Sequence, residues 1–296
     1  MSSFVQIIAI GAYLLLFFLV LAGIALWRKR RRKERWPVET KLRRGPGESL
    51  RRRIDTLSEG MYWRTGAAAL GPLLVGFAVV WFLAKTAPQT RLDVGLALAG
   101  TITVALLVVT GAWILRSLRN IGNHCLGYFG ERVVAEALEP LLSRGYRVFH
   151  DVPMEGRNWR ANIDHVVVGP TGIVVVETKA IRKRRGLPGR KEQVLDCSGP
   201  LLRWPWGDGR VGLEQSVRNA EWLRKWIRER LAANVPVSSV LTFPGWYIEP
   251  PDNRHSIIPT TWLADRIPRL GESKLSEEQI DLIARQLDSL CRDVED

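Results

Sequence analysis

Three long apolar runs dominate the N-terminal part of the chain. They cover residues 4–27, 66–84 and 94–115, and none contains a charged side chain. A helix needs about 20 mostly apolar residues to cross a bilayer, so the pattern predicts three transmembrane helices. The first run is too long for a signal peptide and has no positively charged leader, so we expect an uncleaved anchor.

Beyond residue 116 the pattern becomes shorter and mixed. We expect a polar connector at residues 116–123, followed by helices and strands in alternation. Helical spacing predicts helices at residues 126–143, 213–231 and 276–290, the last opened by a capping box that starts at Ser276. Short apolar runs predict strands at residues 146–152, 162–169, 172–179, 237–243 and 256–258. This order predicts an α/β (α+β) domain in which helices flank a mixed central sheet.

These patterns divide the chain into five parts. We expect an anchor helix (1–27), a basic loop (28–65), a two-helix transmembrane hairpin (66–115), the α/β domain (120–260) and a C-terminal helical extension (261–296).

The net charge of +13 is concentrated beside the apolar runs. Residues 28–65 hold 14 Lys or Arg and only 5 Asp or Glu. The positive-inside rule explains this excess without nucleic acid. It predicts a multi-pass protein of the cell (inner) membrane, with the N-terminus outside and the C-terminal domain in the cytoplasm. The same loop could bind anionic lipid head groups of the bilayer, which leaves a lipid-responsive role open.

The cysteines and histidines give little evidence of a site. Cys125, Cys197 and Cys291 are odd in number and far apart, which favours free cytoplasmic thiols over a disulfide framework. The four histidines are scattered without zinc-site spacing.

Candidate chemistry gathers at the open end of the hairpin formed by residues 162–179. If Gly169 pairs with Gly172, then Asp164 pairs with Glu177, and Lys179 shares their face of the sheet. Opposed side chains lie roughly 5 Å apart at Cβ, so the two carboxylates would repel each other unless a cation bound between them. A one-residue bulge at Gly172 would instead turn Glu177 to the other face.

Glu131 is a candidate third acid. It lies on the inward-facing stripe of the helix predicted at residues 126–143, where a buried carboxylate needs a partner or a cation. The alternative is that Glu131 lies near the start of its helix and is stabilised by the helix dipole. Carboxylate oxygens are the ligands that Mg²⁺ or Mn²⁺ prefers. Such an ion could activate water against a phosphodiester, with Lys179 stabilising the negative charge that develops.

An irregular, basic segment follows the hairpin. Its cationic residues are Arg182, Lys183, Arg184, Arg185, Arg190 and Lys191. They form either a solvated loop or a set of nucleic-acid phosphate contacts. Trp204 and Trp206, further along, could stack on bases, although packing against the core is the more usual role.

Three motifs resemble the nuclease-related domain (NERD) family of the restriction-endonuclease-like PD-(D/E)xK superfamily. They are residues 127–131 (Gly-Tyr-Phe-Gly-Glu), 162–173 and 176–179 (Val-Glu-Thr-Lys), within a region of resemblance from about 125 to 245. The resemblance implies a nuclease-like core with Glu131, Asp164 and Glu177 as metal ligands, Lys179 as the catalytic lysine and Gln215 as an accessory residue. The long basic spacer after Lys179 departs from the family pattern, and the apolar runs lie outside it.

Two functional hypotheses follow. The first is a membrane-anchored, Mg²⁺- or Mn²⁺-dependent nuclease that acts on DNA. The second is a non-catalytic, membrane-tethered module that binds nucleic acid or a protein on a nuclease-like scaffold.

Overall fold

The computed structural model describes residues 41–86, 92–155, 161–183, 194–198, 201–249, 257–271 and 273–294, with scattered positions between 16 and 27. In chain order the helices and strands are β1 (Leu42–Arg43), α1 (Glu48–Thr86), α2 (Leu92–Leu138), β2 (Arg147–Pro153), β3 (Asn162–Gly169), β4 (Gly172–Thr178), β5 (Val194–Asp196), β6 (Leu202–Trp204), β7 (Gly207–Gly209), α3 (Leu213–Leu231), β8 (Val237–Thr242), β9 (Tyr247–Glu249), α4 (Leu263–Leu270), α5 (Glu277–Leu290) and β10 (Arg292–Val294). Short 3-10 helices cover Glu139–Arg144 and Thr260–Trp262.

The chain divides into two compact units. The first contains Met1–Thr40 and Gly60–Ser117, and the second contains Lys41–Glu59 and Leu118–Glu295. The predicted boundary at residue 260 therefore falls inside the second unit.

Two helices of the described chain are long and apolar enough to cross a membrane. They run over Glu48–Phe82 and Asp93–Arg144, and their apolar windows are only 7% and 12% buried. Most of the first predicted span lies outside the described residues, so the prediction of three transmembrane helices is not confirmed. The predicted connector at residues 116–123 is wrong, because α2 continues through it without a break. Polar side chains such as Arg and Ser do not by themselves end a helix.

A four-stranded mixed sheet forms the centre of the second unit. Its order is β2-β3-β4-β8, with β2, β3 and β4 antiparallel and β8 parallel to β4. The connection from β4 to β8 passes through α3, as a parallel pair requires a crossover. The bounds of α3 and α5 and the capping box at Ser276 agree with the sequence prediction.

Both faces of this sheet are covered by helices. On one face, Val166 and Val175 pack with residues of α3 and α5, including Leu223 and Leu287. On the other face, Val167, Val174 and Val176 pack with residues of α2 and α4. Burial on both faces explains why β3 and β4 are continuous β-branched runs rather than alternating ones.

Three strands of a second, smaller sheet lie in the segment that the sequence predicted as irregular, and the fourth, β9, follows β8. The order of this sheet is β7-β6-β5-β9, and it packs its apolar side chains with those of β8. Strands of three residues carry too little periodicity to be recognised in the sequence.

A two-stranded sheet joins the segment before α1 to the C-terminus. Leu42 pairs with Val294 and Arg43 with Arg292. Together with α5 in the core, this pairing makes the predicted C-terminal extension part of the same compact unit.

Candidate active site

The β3–β4 hairpin has the predicted register. Gly169 pairs with Gly172, and the pairing continues without a shift to His165 and Val176. The same register, extended by one residue on each strand, places Asp164 opposite Glu177, and both are buried. The bulge that would have reversed Glu177 is absent from the paired residues of this hairpin.

Lys179 connects the hairpin to α3. Its Nζ donates to Glu177 Oε1 at 2.7 Å and to Gln215 Oε1 at 3.0 Å. The amide of Asn219 donates to the other oxygen, Glu177 Oε2, at 2.8 Å. Gln215 and Asn219 lie four residues apart and therefore on one face of the helix. Asn219 was missed in the sequence, although its spacing from Gln215 could have indicated it.

Asp164 and the backbone of Lys179 are fixed by neighbouring strands. Asp164 Oδ2 accepts a hydrogen bond from the backbone N–H of Thr178 at 2.7 Å. The backbone N–H of Lys179 donates to the carbonyl of Thr242 on β8 at 3.0 Å. The central sheet therefore fixes the positions of the Asp164 carboxylate and of the Lys179 backbone relative to each other.

Glu131 reaches the site from α2, where Gly130 allows a close approach. A Cβ at Gly130 would lie 2.6 Å from the Cβ of Ala180, just after β4. Only 5% of Glu131 is exposed, and its Oε2 has no hydrogen-bond partner in the described part of the chain. The helix-start alternative for Glu131 is wrong, since α2 begins at Leu92.

Burial and mutual repulsion raise the pKa values of the acids Glu131 and Asp164. Burial, followed by the charges of Asp151 and Glu177, raises the pKa of Glu131 to about 8. Burial, followed by the charges of Glu177 and Glu131, holds the pKa of Asp164 well above its ordinary value. A nearby cation would reverse this effect, because opposite charge favours the ionised carboxylate.

Lys179 offsets part of this repulsion. Burial lowers the pKa of its ammonium, but the charges of Glu177 and Asp164 raise this pKa by more than burial lowers it. The pKa of Lys179 therefore lies above its ordinary value. Lys179 is therefore charged at neutral pH. Burial raises the pKa of Glu177, while Lys179 and Asn219 lower it, with a net rise.

Asp151 is a further acid that sequence analysis did not select. It is fully buried on β2 and has a left-handed backbone, with a φ of 49°. Its charge contributes to the raised pKa of Glu131. The sequence does contain a signal for Asp151, which is a charged residue within the apolar strand predicted at residues 146–152.

The donor set agrees in chemistry with a divalent cation of the Mg²⁺ class. Glu131, Asp164 and Glu177 offer carboxylate oxygens, and one oxygen of Glu131 is buried without a partner. Among the described residues, however, no group of three His, Cys, Asp or Glu side chains is arranged to hold a metal ion as it stands. Mg²⁺ commonly uses one or two carboxylates and keeps several waters, so the residues present fit such an ion.

The basic segment is only partly described. Arg182 donates to the carbonyl of Gly122 at 2.7 Å, and the Lys183 ammonium lies 5.8 Å from the ring centroid of Trp246. The other four predicted cations, Arg184, Arg185, Arg190 and Lys191, lie outside the described residues. Trp204 is buried against Phe243 and Trp246, and Trp206 stacks on it, so these tryptophans pack onto the core.

The fold and the site together fit the α+β nuclease-like class. Residues 126–244 match the model of the NERD family, described as a nuclease-related domain. The match covers less than half of the chain and supports the resemblance found in the sequence. No curated protein and no solved structure matches the chain.

Proposed function

We propose that this protein is a membrane-anchored, cytoplasm-facing nuclease that hydrolyses phosphodiester bonds of DNA with Mg²⁺ or Mn²⁺. The observation that carries the proposal is the position of Lys179. Its ammonium bridges Glu177 and Gln215 next to the buried acids Asp164 and Glu131. The NERD match over residues 126–244 supports the same chemistry.

Each residue has a distinct part in this proposal. One or two of the carboxylates of Glu131, Asp164 and Glu177 would hold the cation, which would supply Lewis-acid polarisation of the phosphate and a more acidic bound water. Lys179 is charged and aimed into the site, so it stabilises negative charge that develops on the phosphate or orients the attacking water. Gln215 fixes the ammonium through its 3.0 Å hydrogen bond. Arg182 and Lys183 would contact the phosphates of bound DNA.

Cleavage assays on the full-length protein in detergent test this function. Supercoiled plasmid, single-stranded DNA and RNA are incubated with Mg²⁺, with Mn²⁺ or with a chelator. Glu177→Gln and Lys179→Ala should each reduce the rate by at least about 100-fold, as for loss of a charge-stabilising group. The exposed i,i+4 pair on α3 supplies matched controls, Glu229→Gln and Lys225→Ala. Equal rates for all four variants would eliminate the proposed site.

A specific feature favours the non-catalytic alternative. Both oxygens of Glu177 already accept hydrogen bonds, from Lys179 and Asn219. A nuclease-like scaffold that binds DNA without cleaving it would keep this closed arrangement. Binding of labelled DNA that persists in chelator, with no cleavage of any nucleic acid, would select this alternative.

The low burial of the two apolar helices supports membrane anchoring. Core helices of soluble proteins are mostly buried, whereas the apolar windows of these two helices are 7% and 12% buried.

Cys125 gives a test of orientation, because it is exposed while Cys197 and Cys291 are buried. A membrane-impermeant maleimide should label Cys125 only after the cells are lysed. Labelling in intact cells would contradict the cytoplasmic orientation.

A further inference from the structure

We propose that residues 44–49, which comprise the segment before α1 and the first two residues of that helix, form a positioning element of the candidate active site. This segment holds Asp151 and the turn of α2 that carries Glu131. The inference rests on the proposed function of that site and adds a part of the chain far from the 126–244 family match.

Asp151 is held by donors from two separate parts of the chain. From the segment, Arg44 Nη1 and the backbone N–H of Ser49 donate to Asp151 Oδ2 at 2.9 and 3.1 Å, and the Ser49 hydroxyl donates to Oδ1. From β3, Asn162 Nδ2 donates to Oδ1 at 2.5 Å. The carboxylate is thus satisfied by four donors, so Asp151 has the role of a positioning residue rather than a metal ligand.

The segment also contacts the Glu131 turn directly. Gly47 has a φ of 72°, and a Cβ there would lie 2.6 Å from the ring of Tyr128. Next to the segment, in the first turn of α1, Leu50 Cδ1 lies 3.0 Å from the place that a Cβ on Gly127 would occupy. Both contacted residues belong to the same helical turn as Glu131. Displacement of the segment would therefore release this turn.

The other end of the segment is tied to the C-terminal strand. The backbone N–H of Arg44 donates to the carbonyl of Cys291 at 2.9 Å, and Arg44 Nε donates to Asp293 Oδ1 at 2.7 Å. Arg52 on α1 also donates to Asp293, at 3.1 Å. Arg44 is mostly buried and forms ion pairs with both Asp151 and Asp293. These contacts fix the segment on the domain, as a positioning element requires.

Four variants of the full-length protein test the inference. Gly47→Ala forces a side chain against Tyr128, Arg44→Gln removes the ion pairs, and Ser49→Ala is a milder variant that removes only a hydroxyl. Gly45→Ala is the matched control, because a Cβ at Gly45 meets nothing within 4 Å. For each variant, circular dichroism checks folding, plasmid cleavage gives kcat and KM, and titration gives the Mn²⁺ dissociation constant.

The expected result is a fall in kcat of at least tenfold for Gly47→Ala and Arg44→Gln, with KM for DNA unchanged and weaker Mn²⁺ binding. Ser49→Ala should show the same change to a smaller extent, and Gly45→Ala should behave as wild type. If Gly47→Ala or Arg44→Gln does not fold, the kcat and Mn²⁺ binding of Ser49→Ala test the inference. Wild-type kcat and Mn²⁺ affinity in the folded variants would overturn the inference.

The Mn²⁺ titration separates this inference from the proposed function. If the wild type cleaves no nucleic acid, the proposed function fails, and weaker Mn²⁺ binding by the folded variants would still support the positioning role. A wild type that binds no Mn²⁺ would overturn the inference as well.

Discussion

Replacing Glu131 by Gln should make the free energy of unfolding less dependent on pH. The pKa of Glu131 is about 8 in the fold, against an ordinary value of 4.5. Between these values the folded state keeps a proton that the unfolded state has released, so stability falls as the pH rises and becomes constant above about 8. Worked from these two pKa values, the loss between pH 5 and pH 7 is about 2–3 kcal/mol at most.

Urea unfolding of the full-length protein in detergent and chelator, at pH 5, 6 and 7, measures this effect. The wild type should lose more stability than Glu131→Gln over this range, by up to about 2–3 kcal/mol. Glu136→Gln is the control, because Glu136 is exposed on the same helix. Equal pH dependence in wild type and Glu131→Gln would refute the view that Glu131 is held protonated among buried acids.

Two further predictions concern the packing around the site, and urea unfolding at pH 7 measures both. Asn219→Ala should destabilise the fold by about 1–3 kcal/mol, since Glu177 Oε2 loses its buried donor, and the exposed Arg224→Ala on the same helix should have little effect. Leu223→Ala should cost about 2–5 kcal/mol, because Leu223 of α3 is fully buried against the central sheet. Leu282→Ala, at a 43% exposed leucine, should cost less than about 1 kcal/mol. Equal losses for the buried and exposed residues of either pair would contradict these predictions.

The central hairpin could be predicted closely from sequence because its physics is local. Two β-branched runs around Gly169 and Gly172 fix both the turn and the register, and the register fixes the faces of Asp164 and Glu177. The helix α3 could also be predicted closely from the sequence, since its 19 residues give several turns of apolar spacing.

Other features depend on contacts between distant parts of the chain. Asp151 is matched by Arg44, 107 residues earlier, and no local pattern connects them. The pairing of β1 with β10 joins strands of two and three residues, too short to show a period. The continuation of α2 through residues 116–123 has no apolar signal in the sequence, because this stretch is polar, although a helix tolerates polar side chains on any exposed face.

The claim that the buried acids hold a divalent cation is tested most directly by Mn²⁺ titration of the full-length protein. We expect Mn²⁺ to bind to the wild type and this binding to be lost in Asp164→Asn. Asp281→Asn, at a half-exposed aspartate that pairs with Arg147, should bind as the wild type does. Binding that is absent from the wild type, or equal in Asp164→Asn, would contradict the proposed metal site.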